Sequence, residues 1–288
     1  MRLINIITLF LMLSIVSCQS GKVDKNENQI SVSILPQKYF IEKIAGDDFN
    51  INVLIPPGAS PATYEPTPSQ MKGVAKSIAY FKIGHIPFEY AWLNNLIEGA
   101  GEIKVIDLSE GIELIRGPEV RHGDHFHKGG IDPHIWSSPK SMKIVAENIY
   151  KELIQMNPKE KMKYQANYNR FLAELENLNQ VGKSVIDSSG HKAFMIFHPA
   201  LSYLARDYGL EQIAIEVDGK DPSPAQMKNL VLKAKEHHIK VVFIQKQFNM
   251  DNAEAIAKEI GARVEQIDPL SENWSAEMNR IIELLRTN

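Results

Sequence analysis

A chain of 288 residues exceeds the usual size of a single domain, so two lobes of ordinary length are expected, each able to bury a full core. Hydrophobic residues make up 44% and charged residues 23%, with 17 glycines and 15 prolines, which is the profile of a folded globular protein and excludes fibrous or disordered classes. The formal net charge is -3 with the signs well mixed, so no nucleic acid is expected as a partner.

At the start of the chain, Arg2 precedes an apolar stretch, INIITLFLMLSIV, that ends at Ser17 and the only cysteine, Cys18. The stretch is shorter than the roughly 20 residues a membrane-spanning helix needs and reads as an export signal over 1–17. The Ile-Val-Ser-Cys junction has the form of a bacterial lipobox, which predicts acylation of Cys18 and a lipid anchor in a membrane, at the periplasmic face or the cell surface. With its one cysteine acylated, the chain has no internal disulfide and no thiolate to offer, so a metal site must use His, carboxylate or amide ligands. The polar residues 18–29 read as a flexible tether.

Runs rich in β-branched residues predict strands at Ile30 to Leu35, Ile51 to Ile55, Ile78 to Ile83 and near Ile103 to Ile106. Helical patterns at Pro36 to Ala45, Ser69 to Ser77 and Phe88 to Glu98 separate them, the alternation of a parallel α/β sheet. Residues 119–130, EVRHGDHFHKGG, show no periodicity and read as a histidine-bearing loop. A helix capped by Ser138, with Pro139 at its first position, runs to about Met156. Pro158 restarts a longer pattern to about Asp187, with Tyr168, Phe171, Leu175, Leu178 and Val185 along one face. Strands return at Ala193 to Phe197, Ile213 to Val217, Val241 to Gln245 and Arg263 to Ile267. Ser223 with Pro224 opens one intervening helix, and Asp251 with Glu254 has the pattern of a capping box for another. The expected fold is α/β with two lobes, each a parallel sheet with flanking helices: 30–157 and 189–288, joined by one long rigid helix over 158–188.

His198 directly follows the apolar run AFMIF, and Asp268 directly follows VEQI, so each stands at the C-terminal end of a predicted strand, the edge where open α/β sheets bind ligands. His134 lies in Asp132-Pro133-His134-Ile135-Trp136, just before the helix opened by Ser138. Two imidazoles and a carboxylate from three separate segments would make a nitrogen and oxygen site suited to zinc.

Four segments carry a resemblance: PPGASPATYEPTPSQM at 56–71, DPHIWSSPKSM at 132–142, FHPALSYLARDYGL at 197–210 and QIDPL at 266–270. From Cys18 onward the chain resembles the zinc- and manganese-binding solute-binding lipoproteins of bacterial ABC importers. The resemblance implies one metal ion held between the lobes by His134, His198 and Asp268, with zinc as the transported ligand. It implies an ABC permease and its ATPase as partners, a monomer, and binding without catalysis. A histidine at 198, where manganese-preferring members carry a carboxylate, favours zinc over manganese.

Two departures stand out. Ala62 occupies the place where the family usually has a histidine, so water, Glu65 or a histidine of the loop (His122, His125 or His127) is left to supply the fourth ligand. Gln245 stands where many relatives have glutamate, which predicts a less negative pocket. The alternative readings are a protein that binds a metal chelate or small organic ligand in the room opened by Ala62, a surface adhesin, or a zinc hydrolase. For the last of these the chain lacks an HExxH motif. His85 and His191 are read as incidental, and His237 and His238 as complements to a helix dipole. Since imidazole must be unprotonated to hold a metal, affinity is expected to fall as the pH drops.

Overall fold

Eight of the strands fall into two four-stranded sheets, and every pairing within both is parallel. A computed structural model describes residues 28–117, 120–122, 125–127, 130–217 and 219–287. The export signal, Cys18 and all but the last two residues of the expected tether lie outside the described residues. No described helix is long and apolar enough to cross a membrane.

The first sheet is built from β1 (Gln29–Val32), β2 (Asn50–Val53), β3 (Ala79–Lys82) and β4 (Lys104–Asp107) in the order β2-β1-β3-β4. Helices α1 (Leu35–Ala45), α2 (Pro68–Ala75) and α3 (Pro87–Glu98) make the crossover connections between its parallel strands. Proline sits in the first turn of all three, where its missing N–H costs nothing. β1 ends earlier than the apolar run Ile30 to Leu35 suggests. Gln37 accepts from the backbone N–H groups of Ser33 and Ile34, which turns the chain into α1.

After β4 come two three-residue strands, β5 (Val120–His122) and β6 (His125–His127), paired antiparallel. The sequence reading of 119–130 as a plain loop is corrected here: strands of three residues are too short for a period-two pattern to show. Then follow α4 (Pro139–Met156), capped by Ser138 as expected, and the 29-residue α5 (Lys161–Ser189), which a single 3-10 turn over Pro158–Glu160 introduces. α5 packs against α1, α4 and α9 (Trp274–Arg286), so it touches elements from both halves of the chain. Ion pairs Lys43–Glu174 at 2.7 Å and Lys163–Asp48 at 2.6 Å tie it to α1 and the turn after it. Gly182 in α5 is where the Tyr208 side chain packs; a Cβ there would collide with the phenol.

The second sheet runs β10-β9-β7-β8, from β7 (Ala193–Ile196), β8 (Glu211–Ala214), β9 (Val241–Gln245) and β10 (Arg263–Ile267). Its alternating side chains divide between two cores. Phe194, Ile196, Val241 and Phe243 join the large core that includes the first sheet, while Met195, Val242 and Ile244 face α7 (Pro224–Glu236) and α8 (Asp251–Ile260). α6 (Ser202–Tyr208) and α9 complete the second half. Asp251 is not a cap: Met250 holds that position, and Asp251 is the first helical residue, its N–H and carboxylate both bonded to Asn249. β8 stops at Ala214, short of the predicted Val217, because the Ile215 N–H is shared between the Ile196 and Phe197 carbonyls and the Glu216 N–H turns onto the Phe197 carbonyl as well.

Candidate metal centre

Each sheet has a point where its strand order reverses, between β1 and β3 in the first and between β7 and β9 in the second, and the chemistry gathers at the C-terminal edges there. His198 is two residues past β7, and Gln245 is the last residue of β9 beside it. The buried Gln245 amide grips the His198 backbone at two points, accepting its N–H at 3.3 Å and donating to its carbonyl at 2.6 Å. A carboxylate could do only the first, so glutamine here is a backbone clamp, a role the charge argument from sequence did not anticipate.

His134 is brought in from the segment before α4. Trp136, buried two residues on, offers its carbonyl to the Trp274 indole N–H at 2.8 Å, and the Tyr203 hydroxyl donates to the Asp132 carbonyl at 2.7 Å. These bonds pin the His134 segment to α9 and α6, elements from the second half of the chain.

The two histidines meet edge to face, ring centroids 5.1 Å apart, with their Nε2 atoms 3.2 Å apart. Two nitrogens each about 2.05 Å from one tetrahedral zinc would be separated by about 3.3 Å. The opposite ring nitrogens are both held by carboxylates: His134 Nδ1 by Asp132 at 2.9 Å and His198 Nδ1 by Glu216 at 2.7 Å. A carboxylate on Nδ1 keeps the proton there and leaves the Nε2 lone pair free for a metal, the arrangement metal-binding histidines usually show. Burial pushes the Asp132 carboxyl up, but the hydrogen bonds and charge of His134, with the Ser202 hydroxyl, outweigh this and hold it below the ordinary carboxylate range. Phe248 stacks on the His198 ring at 5.2 Å.

His134 and His198 both border a cavity of about 230 Å³ whose walls include Pro61, Ala62, Ile86, Trp136, Phe248 and Leu270. Of the sequence-predicted ligands, the structure joins His134 and His198. Asp268 is held elsewhere: its Oδ2 pairs with Lys246 Nζ at 3.1 Å, and it borders an adjoining cleft with Ile55, Pro56 and Gly58, of which Leu270 is the common wall. Among the described residues no three His, Cys, Asp or Glu side chains stand close enough together to hold a metal ion. Glu65 is exposed and away from the cavity lining. His85 bonds Tyr90 at 2.6 Å and His237 lies 3.5 Å from Glu211, and neither lines the cavity.

Sequence reasoning did not find the pairing roles of Asp132 and Glu216. The signal for Asp132 was its place two residues before His134; Glu216, 18 residues beyond His198, had none.

The profile of the family described as zinc-uptake complex component A, periplasmic, matches residues 30–288. The high-affinity zinc uptake system protein ZnuA of Bacillus subtilis (strain 168) is 27% identical over 265 residues, spanning 88% of this chain and 82% of that protein. A crystal structure of ZnuA superposes with a TM-score of 0.81 at 40% identity, covering 90% of this chain and 98% of that one. A zinc-bound ZnuA deletion mutant gives the same TM-score at 41% identity, covering 90% and 96%.

Proposed function

This chain belongs to the periplasmic zinc-uptake component A family, and from that premise we propose that it captures one zinc ion between His134 and His198 and delivers it to the permease of an ABC importer. The observation that carries the reading is the pair of Nε2 atoms 3.2 Å apart, each on a ring whose other nitrogen is bonded to a carboxylate. The act is stoichiometric binding and release, with zinc as cargo and manganese as the poorer fit for two imidazoles. Asp268 is the third ligand in this reading, reached when it exchanges Lys246 for the dication. Acylated Cys18 anchors the monomer to its membrane beside the permease and its ATPase.

A competition titration of the purified protein against a chromogenic zinc chelator tests this. One zinc per chain is expected, with weaker manganese binding; no zinc binding beyond the chelator control would end the proposal. Glu216→Ala tests the supporting carboxylate. It is expected to weaken zinc binding by about 10- to 100-fold while leaving the stoichiometry at one, because the ring stays but its tautomer and aim are no longer fixed. An unchanged affinity would show that the His198–Glu216 bond has no part in metal capture.

A further inference from the structure

We infer that Tyr203 is a positioning residue of the zinc centre: its hydroxyl, inserted into a backbone ladder beside Asp132, sets where His134 stands relative to His198. The inference rests on the zinc reading above and concerns what fixes the spacing of the two ligands.

His134 and His198 lie far apart in the sequence, so no local structure relates them. α6 does. The chain enters it four residues after His198 and grips the His134 segment at two points, from positions four apart on one face of the helix. Tyr203 bonds the Asp132 carbonyl at 2.7 Å, and the Asp207 carboxylate accepts from the Ser138 hydroxyl. His134 lies between the two anchored residues.

The Tyr203 contact is the unusual one. Ile115 and Asp132 face each other in a short antiparallel ribbon that continues through Arg116 and Ile131 to Gly117 and Gly130. One backbone bond of this pair is made directly, from the Asp132 N–H to the Ile115 carbonyl at 2.9 Å. In the place of its second bond stands the Tyr203 hydroxyl, which accepts from the Ile115 N–H at 3.1 Å and donates to the Asp132 carbonyl at 2.7 Å. A hydroxyl can accept and donate at once, as this position requires. It acts as a spacer that holds Asp132 off Ile115, and the Asp132 carboxylate in turn takes both the His134 N–H and its Nδ1 at 2.9 Å. The spacer is itself braced. Tyr203 is fully buried, and the Arg206 guanidinium lies 4.9 Å from its ring centre while bonding the Glu113 carbonyl at 2.6 Å.

Tyr203→Phe keeps the ring and removes the spacer, so the Ile115 N–H can close on the Asp132 carbonyl and draw Asp132 out of place. In the full chain this variant is expected to bind one zinc with affinity lowered by about tenfold, the lower end of the range for groups that orient a ligand. Cobalt(II) loaded in place of zinc reports the geometry of its donors, and its visible bands are expected to shift. Tyr164→Phe is the matched control: that phenol is equally buried and also accepts one bond, from Asn157, and donates one, to Asp48, but touches neither histidine segment. It should lower the thermal midpoint and leave zinc affinity and the cobalt bands as in the wild type. In a His134→Ala background, Tyr203→Phe is expected to cost less than about twofold, since it acts through the missing ring. Asp207→Ala frees the other end of the segment and is expected to weaken zinc binding in the same direction. Wild-type affinity and cobalt bands in both Tyr203→Phe and Asp207→Ala would overturn the inference, as would an undiminished Tyr203→Phe effect without His134. No zinc binding by the wild type would overturn the zinc reading, and the inference with it.

Discussion

Replacing Glu89 with alanine is expected to lower the unfolding free energy by about 4 kcal/mol, with the loss read as a fall of roughly 10 °C in the thermal midpoint. Glu89 lies in the first turn of α3, fully inside the protein, and its carboxylate closes the crevice between β1 and β3. One oxygen accepts from the Ile83 N–H at 2.8 Å and from the Ser33 hydroxyl; the other accepts from the Gly84 N–H at 2.8 Å. Alanine would leave the buried Ile83 and Gly84 N–H groups without an acceptor, at about 1–3 kcal/mol each, while the Ser33 hydroxyl keeps the Tyr80 hydroxyl at 2.8 Å. Glutamine would answer one backbone N–H and turn its own N–H against the other, so Glu89→Gln is expected to recover only part of the loss. The segment at stake matters to the site, since Gly84 and His85, both at positive φ, lead directly to Ile86 and Pro87 in the cavity wall.

The same residue sets a pH dependence. Burial raises its pKa from 4.5 to about 7, against the pull of Ser33 and the two backbone donors. Since the folded state holds the proton more tightly than the unfolded chain, Glu89 works against folding above about pH 7. That penalty is relieved as the pH falls from about 7 toward 4.5, by on the order of 3 kcal/mol. His85, whose pKa burial lowers, contributes the opposite slope, so the difference between wild type and Glu89→Gln isolates the carboxyl. A difference in unfolding free energy that is flat between pH 4.5 and 7.5 would refute the assignment.

Much of the architecture was legible because parallel strands buried on both faces read as unbroken apolar runs, as AFMIF and VVFIQ do. The strand-end rule then pointed to His198 and, more loosely, to Asp268, since a strand's C-terminal edge can be read from the run itself. What the rule does not give is side-chain direction: Asp268 stands at the right edge of β10 and yet turns to Lys246. The carboxylates behind the histidines were invisible for a related reason. Glu216 reaches His198 only because the chain bends away from β8 after Ala214, an event set by the Phe197 carbonyl and not by local propensity. Gln245 was seen, but its clamp on His198 was not, because that part is played through two backbone bonds that its lack of charge does not reveal. α9 was not read from the sequence although its signal was there: Trp274, Met278, Ile281, Ile282 and Leu285 recur at helical spacing and all are buried.

The largest functional effect is expected at the two histidines themselves. Since losing only an outer carboxylate typically costs 10- to 100-fold in metal affinity, removing the ligand it supports should cost more than about a hundredfold, for His134→Ala and His198→Ala alike. The two losses should not add. With either imidazole gone, the ion keeps one protein nitrogen and the link between the His134 segment and the end of β7 is broken, so little is left for the second substitution to remove. Thermal melts give a readout independent of the titration: a ligand at about 100 times its Kd stabilises the folded state by about 2.7 kcal/mol, and that zinc-dependent rise should vanish in both single variants. His85→Ala, a change outside the cavity lining, serves as the control and should keep it. Full zinc stabilisation in His134→Ala would mean that the ion sits on the β7 side alone, and the approach of the two Nε2 atoms would then have no part in binding.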